Sequence, residues 1–587
     1  MNQIPFIPDN APFSHEQRLW LNGYLAGMFS CASAAAIEGS ATAALPTRKP
    51  IAILYGSQTG TAESLAKKTS LEAAKRGFEA RFVDMAKHQT VDLAREENIL
   101  VITSTYGDGE PPDNALGFWT FLSSEDVPPL DHLRYSVLAL GDTNYPAFCE
   151  FGRKCDARLE ELGAQRIHPR IDCDLEYDGP AGEWTQAVFA ALTEAGSMAA
   201  APETIAPVVE EAPLVYSRKI PYPARMLTNR LLTGAGSAKE VRHFEISLAD
   251  SELIYEVGDA LGVVPSNCAA AVDELLSVLA CDGEEAVAAP DGQETSLRLA
   301  LTQHYDISRP PLELVKALAE HARDSELAAL AAADRAADLK AYLMGREVID
   351  LLIHHRAALT ATVFVSLLKK LQPRLYSISS SPKAHSGEVH LTVGCVRYDS
   401  HGRGRKGVCS TFLADRCTDQ TAVPIFVQTA HGFRPPSDPN CPMIMVGPGT
   451  GIAPFRAFLE ERQATGATGH NWLFFGDQRR ETDFLYQGEL EAILGSGHLS
   501  RLDLAFSRDQ DEKIYVQHRM LEAASDLWRS LQDGAHFYVC GDASRMAKDV
   551  DRALHEVCQT AGGLSPESAM EYVQQMKAEK RYQRDVY

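Results

Sequence analysis

Two separate zones of the chain carry short, mostly apolar runs, each closed by a glycine-containing turn. Ile51–Tyr55, Ile99–Thr103 and Ser136–Leu140 form the first zone. Met443–Val446, Trp472–Phe475, Leu502–Ala505 and Phe537–Cys540 form the second. Such runs lack the polar residue at every second position that a half-exposed strand shows, so both of their faces must be buried. Helical spacing between the runs supplies the cover. A parallel sheet with helices on both sides satisfies both demands, so two such α/β units are expected.

The stretch between them reads differently. Residues 214–265 and 371–433 show short alternating strands punctuated by Gly and Pro, which predict an antiparallel barrel. The Leu- and Ala-rich residues 266–370 have helical spacing and are expected as a helical insertion in that barrel. Two tethers separate the pieces: residues 31–49 are rich in Ala, Ser and Thr, and Glu194–Pro213 mixes Ala, Pro and Glu without period. The expected division is 1–49 for an N-terminal helix and tether, 50–193 for the first α/β domain, and 194–213 for a linker. Residues 214–436 follow as the barrel with its insertion, and 437–587 as the second α/β domain.

Charge narrows the partners. The 56 Lys and Arg stand against 79 Asp and Glu, a net charge of −23, which disfavours nucleic acid and anionic membrane. The twelve cysteines contain no C-x-x-C pair, so neither a disulfide framework nor a zinc site is expected, and a reducing cytoplasm fits. Leu19–Phe29 is apolar, but Asp9 and Glu16 precede it, Asn22 and Gly23 interrupt it, and no basic segment leads it. A bilayer span needs about 20 residues. The segment is read as an amphipathic helix beginning near Ser14, with no membrane anchor.

The first strand runs into Gly56, Ser57, Gln58, Thr59, Gly60, Thr61 and Ala62, then a helix. Without the Gly-Lys ending of a triphosphate loop, small hydroxyls and bare N–H groups at a helix N-terminus suit a monophosphate. Alone, the loop is equally a plain strand-to-helix turn. Two more loops favour the phosphate, because open α/β sheets hold ligands beyond the carboxyl ends of several strands. One is Ser104, Thr105, Tyr106 and Gly107; the other runs from Leu140, Gly141 and Asp142 through Asn144 and Tyr145 to Phe148 and Cys149. A Tyr from each is what sandwiching a flat ring requires. These loops closely resemble the FMN loops of flavodoxin, which implies that Ser57–Ala62 hold the FMN phosphate and that Tyr106 and Tyr145 flank the ring. Asp108, Glu110, Asp113 and Asp142 would disfavour negative charge on a reduced flavin, form a docking face, or simply be a solvated acidic rim.

In the barrel region, Arg374, Leu375, Tyr376 and Ser377 offer a guanidinium fork, a stacking face and a hydroxyl. Thr392, Val393 and Gly394 follow; Gly407, Val408, Cys409 and Ser410 then open a helix at Thr411 and present N–H groups to a diphosphate. In the last zone, Gly447-Pro-Gly-Thr450-Gly451 lies between a strand and a helix, as a dinucleotide pyrophosphate needs. Beyond the third strand, Ser507, Arg508, Lys513, Tyr515 and Gln517 gather a hydroxyl, two cations and an aromatic. No acidic residue reads the ribose there, which favours a 2′-phosphate and NADP over NAD; a solvated basic patch is the plainer alternative. In this order the motifs resemble the FAD and NADP sites of the ferredoxin–NADP reductase family. That resemblance adds Ser308, Tyr398 and Asp549 to the contacts. It implies that Cys540 lies beside the nicotinamide, that Tyr587 covers the FAD ring, and that Asp585 polarises Ser377 and Cys540. Without it, Cys540 reads as packing and Tyr587 as a frayed tail.

A flavodoxin-like part fused to a reductase-like part is the signature of the diflavin reductases, and the resemblance covers residues 50–587. It implies a multidomain α/β chain: a flavodoxin-like doubly wound FMN domain, an antiparallel β-barrel FAD domain with a helical insertion, and an α/β NADP-binding domain. FAD, FMN and NADPH are the implied cofactors. Electrons would pass from NADPH to FAD to FMN and on to a one-electron acceptor, with the 194–213 linker letting the FMN part swing. The strings GPGTGIAPFRAF, NWLFFG, CGDASRMAKDV and RYQRDVY, with Gln17, Trp20, Gly23 and Tyr24, resemble most closely the flavoprotein subunits of assimilatory NADPH–sulfite reductases. The implied partner is a sirohaem/iron–sulfur sulfite reductase subunit, with the N-terminal segment serving assembly with it and with itself. Another haem or cobalamin acceptor, or a low-turnover assembly role, stays open. The chain has no Cys₄ iron–sulfur spacing and no sirohaem ligand set, so sulfite itself is not expected to react on it.

Overall fold

In the computed structural model, six strands build the first sheet: β1 (Lys49–Gly56), β2 (Phe78–Asp84), β3 (Asn98–Ser104), β4 (Arg134–Leu140), β5 (Gln165–Arg166) and β6 (Ile171–Cys173). The structure describes residues 49–587 except 58–59, 108, 126, 144–146, 175–176, 195–215, 419–420 and 431. The expected N-terminal helix, both tethers but for Lys49 and Glu194, and Gln58, Thr59, Asp108, Asn144 and Tyr145 therefore lie outside the described residues. All pairings in the sheet are parallel, in the order β2-β1-β3-β4-β5, with β6 also on β4.

Residues of β1 alternate between two cores. Ile51 and Ile53 pack with helices Thr61–Lys75 and Asp178–Glu194, while Ala52 and Leu54 pack with Leu116–Ser123 and Glu150–Glu161. Each fully buried Ile or Leu contributes about 1.5–3 kcal/mol, which is why the unbroken apolar runs sit in the middle of the sheet. The helices after β1 and β3 leave for opposite faces. This opens a crevice at the carboxyl ends of β1 and β3, where doubly wound sheets bind ligands.

The barrel is formed by β7 (Tyr222–Leu231), β8 (Val241–Ser247), β9 (Ala260–Val263), β12 (Arg374–Ser377), β13 (Glu388–Gly394) and β16 (Ala422–Gln428). Two hairpins flank it: β10 (Ala286–Ala288) with β11 (Glu294–Ser296), and β14 (Arg397–Ser400) with β15 (Arg403–Lys406). The barrel order is β12-β9-β16-β7-β8-β13, antiparallel, and an Ile378–Leu391 bridge joins the two edges. The 266–370 insertion is helical, with a core of its own that includes Leu275, Leu301, Leu318 and Phe364. The β10–β11 hairpin within it departs from the all-helical expectation. Its cause is the Pro290-Asp291-Gly292 turn, where Gly292 takes φ 83° and reverses the chain.

The last sheet consists of β17 (Met443–Val446), β18 (Asn471–Asp477), β19 (Arg501–Phe506), β20 (His536–Gly541) and β21 (Tyr582–Val586), all parallel in the order β19-β18-β17-β20-β21. The four apolar runs are its four inner and opening strands. β21 escaped the pattern because an edge strand of sequence YQRDV has only Tyr582 fully buried. Among the described residues, no helix is long and apolar enough to cross a membrane.

Candidate active site

The loop after β1 is held from outside the motif. Gly60 takes φ 87° and donates its N–H to Ser57 Oγ (2.9 Å). Ser57 N–H donates to Asn114 Oδ1 (2.9 Å), and Asn114 Nδ2 donates to Asp84 Oδ1 (2.9 Å) and to the Tyr55 carbonyl (3.3 Å). Asn114 thus fixes the loop, and sequence reasoning missed it because it lies in a short helical turn 57 positions away. Asn114→Ala removes three hydrogen bonds and leaves the Ser57 N–H without its acceptor, so it is expected to cost about 1–3 kcal/mol and to weaken FMN retention. Flavin release during thermal unfolding would measure it.

Of the other loop residues, Thr105 Oγ1 accepts from Phe151 N–H at the start of the next helix (3.1 Å), so its hydroxyl shapes the fold. Tyr106 and Glu110 exchange backbone bonds of 2.9 and 2.8 Å across a tight turn through Gly107 and Gly109. Gly141 packs so closely on Cys149 N and the Phe148 ring that a Cβ would stand 2.8 and 2.9 Å from them. Cys149 itself takes φ 54°, is buried, and directs Sγ to the Cys173 carbonyl (3.6 Å). Its side chain is therefore packing, and only its main chain faces the loop. Thr143 is tied to Asp174, at 2.6 Å for Oγ1, a second anchor the motif did not reveal.

In the barrel, Leu375 and Tyr398 are large apolar side chains left half open on β12 and β14, as a flat ligand would require. Tyr376 is partly buried beside Cys409, and desolvation raises the pKa of both, the Cys409 thiol to about 12. One expectation needs correction. The helix after Gly407 begins at Val408 rather than Thr411, because Gly407 itself is the cap residue and accepts from Thr411 N–H (3.1 Å). The Thr392 hydroxyl meets Tyr486 Oη (2.6 Å). Ser410 Oγ is likewise used, accepting from Val396 N–H, and Ser308 Oγ donates to Asp306. Arg374 donates to the Gln372 carbonyl (2.9 Å). Arg416, also missed from sequence, donates Nη2 to the Val408 carbonyl (3.0 Å), and its buried Nη1 has no partner among the described residues. An unpaired buried cation at this turn fits an anionic group such as a pyrophosphate.

The dinucleotide loop crosses the end of β20 so tightly that a Cβ on Gly451 would lie 2.1 Å from the Cys540 carbonyl. Only glycine allows that approach. Ser507 N–H donates to the Asp477 carbonyl (2.9 Å), while Arg508 and Lys513 project into solvent nearby. Arg479 joins them, donating to the Arg508 carbonyl (3.2 Å), a third cation the sequence reading passed over. Gln517 Nε2 reaches Asp549 (3.5 Å), and Tyr515 is exposed beside His518.

β21 brings the remaining groups together. Its parallel register sets Asp585 opposite Cys540. Ser377 Oγ donates to Asp585 Oδ2 (2.6 Å), and Cys540 Sγ lies 3.9 Å from the same oxygen. Burial raises the Asp585 carboxyl and the Cys540 thiol above their ordinary values, so the thiol stays protonated and donates. Tyr587 N–H donates to the Gly541 carbonyl (3.0 Å), and its ring hydroxyl meets Thr450 Oγ1 (2.9 Å) while the ring stays 60% exposed. The FMN-type loop touches the same strand, with Tyr106 Oη donating to the Val586 carbonyl (3.4 Å). Arg584 forks onto Asp113, with Nε 2.8 Å from Oδ2, and stands 5.7 Å from the Tyr106 ring.

Three family profiles match in succession: flavodoxin over residues 53–184, the FAD binding domain over 215–412, and the oxidoreductase NAD-binding domain over 445–552. A Bacillus subtilis (strain 168) protein named sulfite reductase (NADPH) flavoprotein alpha-component is 46% identical over 98% of this chain and 96% of its own length. The chain belongs to that alpha-component family. Members from Vibrio cholerae serotype O1 (46% identity; 97% of this chain and 93% of theirs) and Neisseria meningitidis serogroup A (44%; 97% and 95%) carry the same name. This alpha-component family member is thus an oxidoreductase with FMN-, FAD- and NADP-binding parts in that order.

Proposed function

We propose that the chain is the electron-delivering component of an NADPH–sulfite reductase, which passes electrons from NADPH through FAD and then FMN to a sirohaem/iron–sulfur subunit that reduces sulfite to sulfide. When bound, FAD takes the hydride pair and FMN releases electrons one at a time. The observation that carries the reading is the meeting of Ser377, Cys540 and Asp585 at the end of the nucleotide sheet, with Tyr106 of the FMN-type loop on the adjoining residue of β21.

In this reading Asp585 orients the Ser377 hydroxyl and the Cys540 thiol toward the reacting rings, and Tyr587 covers the position that the nicotinamide takes. Thr450 holds the Tyr587 hydroxyl by one bond, a tether easily broken. Ser57–Ala62, Ser104–Gly107, Leu140, Gly141, Asp142, Asn144, Tyr145, Phe148 and Cys149 hold FMN, with Tyr106 and Tyr145 flanking its ring. Arg374–Ser377, Thr392–Gly394, Gly407–Ser410, Ser308, Tyr398 and Tyr587 hold FAD. Ser507, Arg508, Lys513, Tyr515, Gln517 and Asp549 hold NADPH, with the domain limits as expected from sequence. The N-terminal residues 1–49 serve assembly with the partner and with a second copy, in the cytoplasm.

Arg508→Ala is expected to raise KM for NADPH about tenfold, the value of a charge-assisted hydrogen bond to the 2′-phosphate, and to leave NADH kinetics unchanged. Steady-state kinetics with both nucleotides measures this. The reading as a whole is tested by NADPH oxidation with a sirohaem sulfite reductase subunit, with and without sulfite. Sulfite-dependent oxidation with sulfide formed is the expected result. Brisk cytochrome c reduction without sulfite dependence would retain the electron chain and discard the partner.

A further inference from the structure

The cysteine spacing that argued against zinc is blind to a site made from alternate residues of two strands, and β8 and β13 carry such a set. His243 and Glu245 are two apart on β8; Glu388 and His390 are two apart on β13. The antiparallel register sets His390 directly opposite Glu245, so all four side chains share one face of the ladder. His243 and His390 are each 1% exposed. Nothing in the proposed electron path uses them.

We propose that His243, Glu245 and His390 bind a divalent transition cation of the zinc class. One ligand atom from each of the three lies within 4.8 Å of the others, a triangle that side-chain rotation closes to bonds of about 2.0–2.1 Å. His₂Glu is a zinc donor set with a fourth position open to water. The orientation of His243 is already fixed as a ligand requires. Its Nδ1 meets Tyr486 Oη at 2.9 Å, and Tyr486 bonds onward to Thr392, which leaves Nε2 facing Glu245 at 3.2 Å.

The charge inventory of this face agrees. Neither Glu245 nor Glu388 pairs with a Lys or Arg among the described residues; their ion-pair partners are only the two imidazoles. The cation facing the cluster, Arg456, lies 3.4 Å from His390 Nδ1 and is itself matched by Glu460 (2.9 Å) and Glu489 (2.7 Å). Arg230 and Lys383 pair with Glu489 and Glu461. Two carboxylates are therefore left over, the charge of one divalent ion. His385 with Glu388 and His390 forms a second triangle, but His385 sits off the strands and is partly exposed, so the β8–β13 set is the more rigid.

The test uses the flavin-loaded full chain, stripped with chelator and titrated with zinc chloride against a fluorescent indicator. One zinc per chain is expected, with binding weakened at least tenfold in His243→Gln and in Glu245→Gln and unchanged in His385→Gln. Flavin content and visible circular dichroism report that the variants fold. Zinc-edge absorption of the unaltered chain should show nitrogen and oxygen at about 2.0–2.1 Å and no sulfur shell at about 2.3 Å. A sulfur shell, sub-stoichiometric binding, or binding indifferent to His243→Gln would overturn the proposal.

Discussion

Asp585→Ala is expected to slow reduction of FAD by NADPH on the order of 100-fold, with little change in NADP⁺ affinity. Among the described residues the carboxylate is the only group bonded to both Ser377 and Cys540, so its loss frees two side chains at once. A positioned polar group of this kind contributes roughly 10²–10⁴-fold, and partial compensation by water puts the expected loss at the lower end. Burial raises the Asp585 pKa, and the bonds from Ser377 and Cys540 pull it back only in part. The ionised form that accepts both bonds therefore holds at higher pH and is lost as pH falls through a value above the ordinary carboxylate range. Stability runs the other way: across that window the folded chain keeps a proton that the unfolded chain sheds, so stability falls as pH rises. Asp585→Asn should abolish the acid limb of the rate profile and flatten the stability dependence together. Stopped-flow flavin reduction and thermal unfolding across pH 4–8 would measure both, and an unaltered acid limb in Asp585→Asn would assign that limb to another group.

Much of this was legible before any coordinates. Runs such as Ile51–Tyr55 and Met443–Val446 can only be buried parallel strands, and the glycines after them mark the carboxyl edge where loops converge. What the pattern could not carry was long-range or polar. β21 has no periodic signal because Gln583, Arg584 and Asp585 are polar on both of its faces, and only pairing with β20 makes it a strand. Asn114 and Asp174 act on loops far from them in sequence. The Cys149 thiol is directed to the Cys173 carbonyl and the Thr392 hydroxyl to Tyr486, since a motif fixes residue identity and not direction. The His243–His390 face was invisible for the same reason: a two-residue spacing means nothing until the register of two strands is known.

Docking of the FMN-type domain should fail when Arg584 or Asp113 is truncated. The pair is mostly buried, with side chains 13% and 19% exposed, and Arg584 also lies against the Tyr106 ring. When the domain swings away, both charges regain water. When Asp113 is truncated, the docked form alone must keep the Arg584 charge dry and without its carboxylate. Breaking a buried pair in this way costs about 3–5 kcal/mol, which corresponds to roughly two to three and a half decades in the population of docked molecules. Lys548 with Glu110 also spans the interface, but both are about half exposed, and such pairs contribute roughly 0–1 kcal/mol. Asp113→Ala is therefore expected to slow FMN reduction by NADPH on the order of 100-fold and to leave FAD reduction intact, because the Arg584 side chain it holds leaves β21 on the face opposite to that of Asp585. Lys548→Ala should change FMN reduction by less than about fivefold. Raised salt should weaken docking through Lys548 more than through Arg584, since burial shields the latter pair from screening. Resolving the two flavin phases by stopped-flow in each variant decides it, and equal slowing of both phases in Asp113→Ala would place the defect in hydride transfer and remove Arg584–Asp113 from the docking interface.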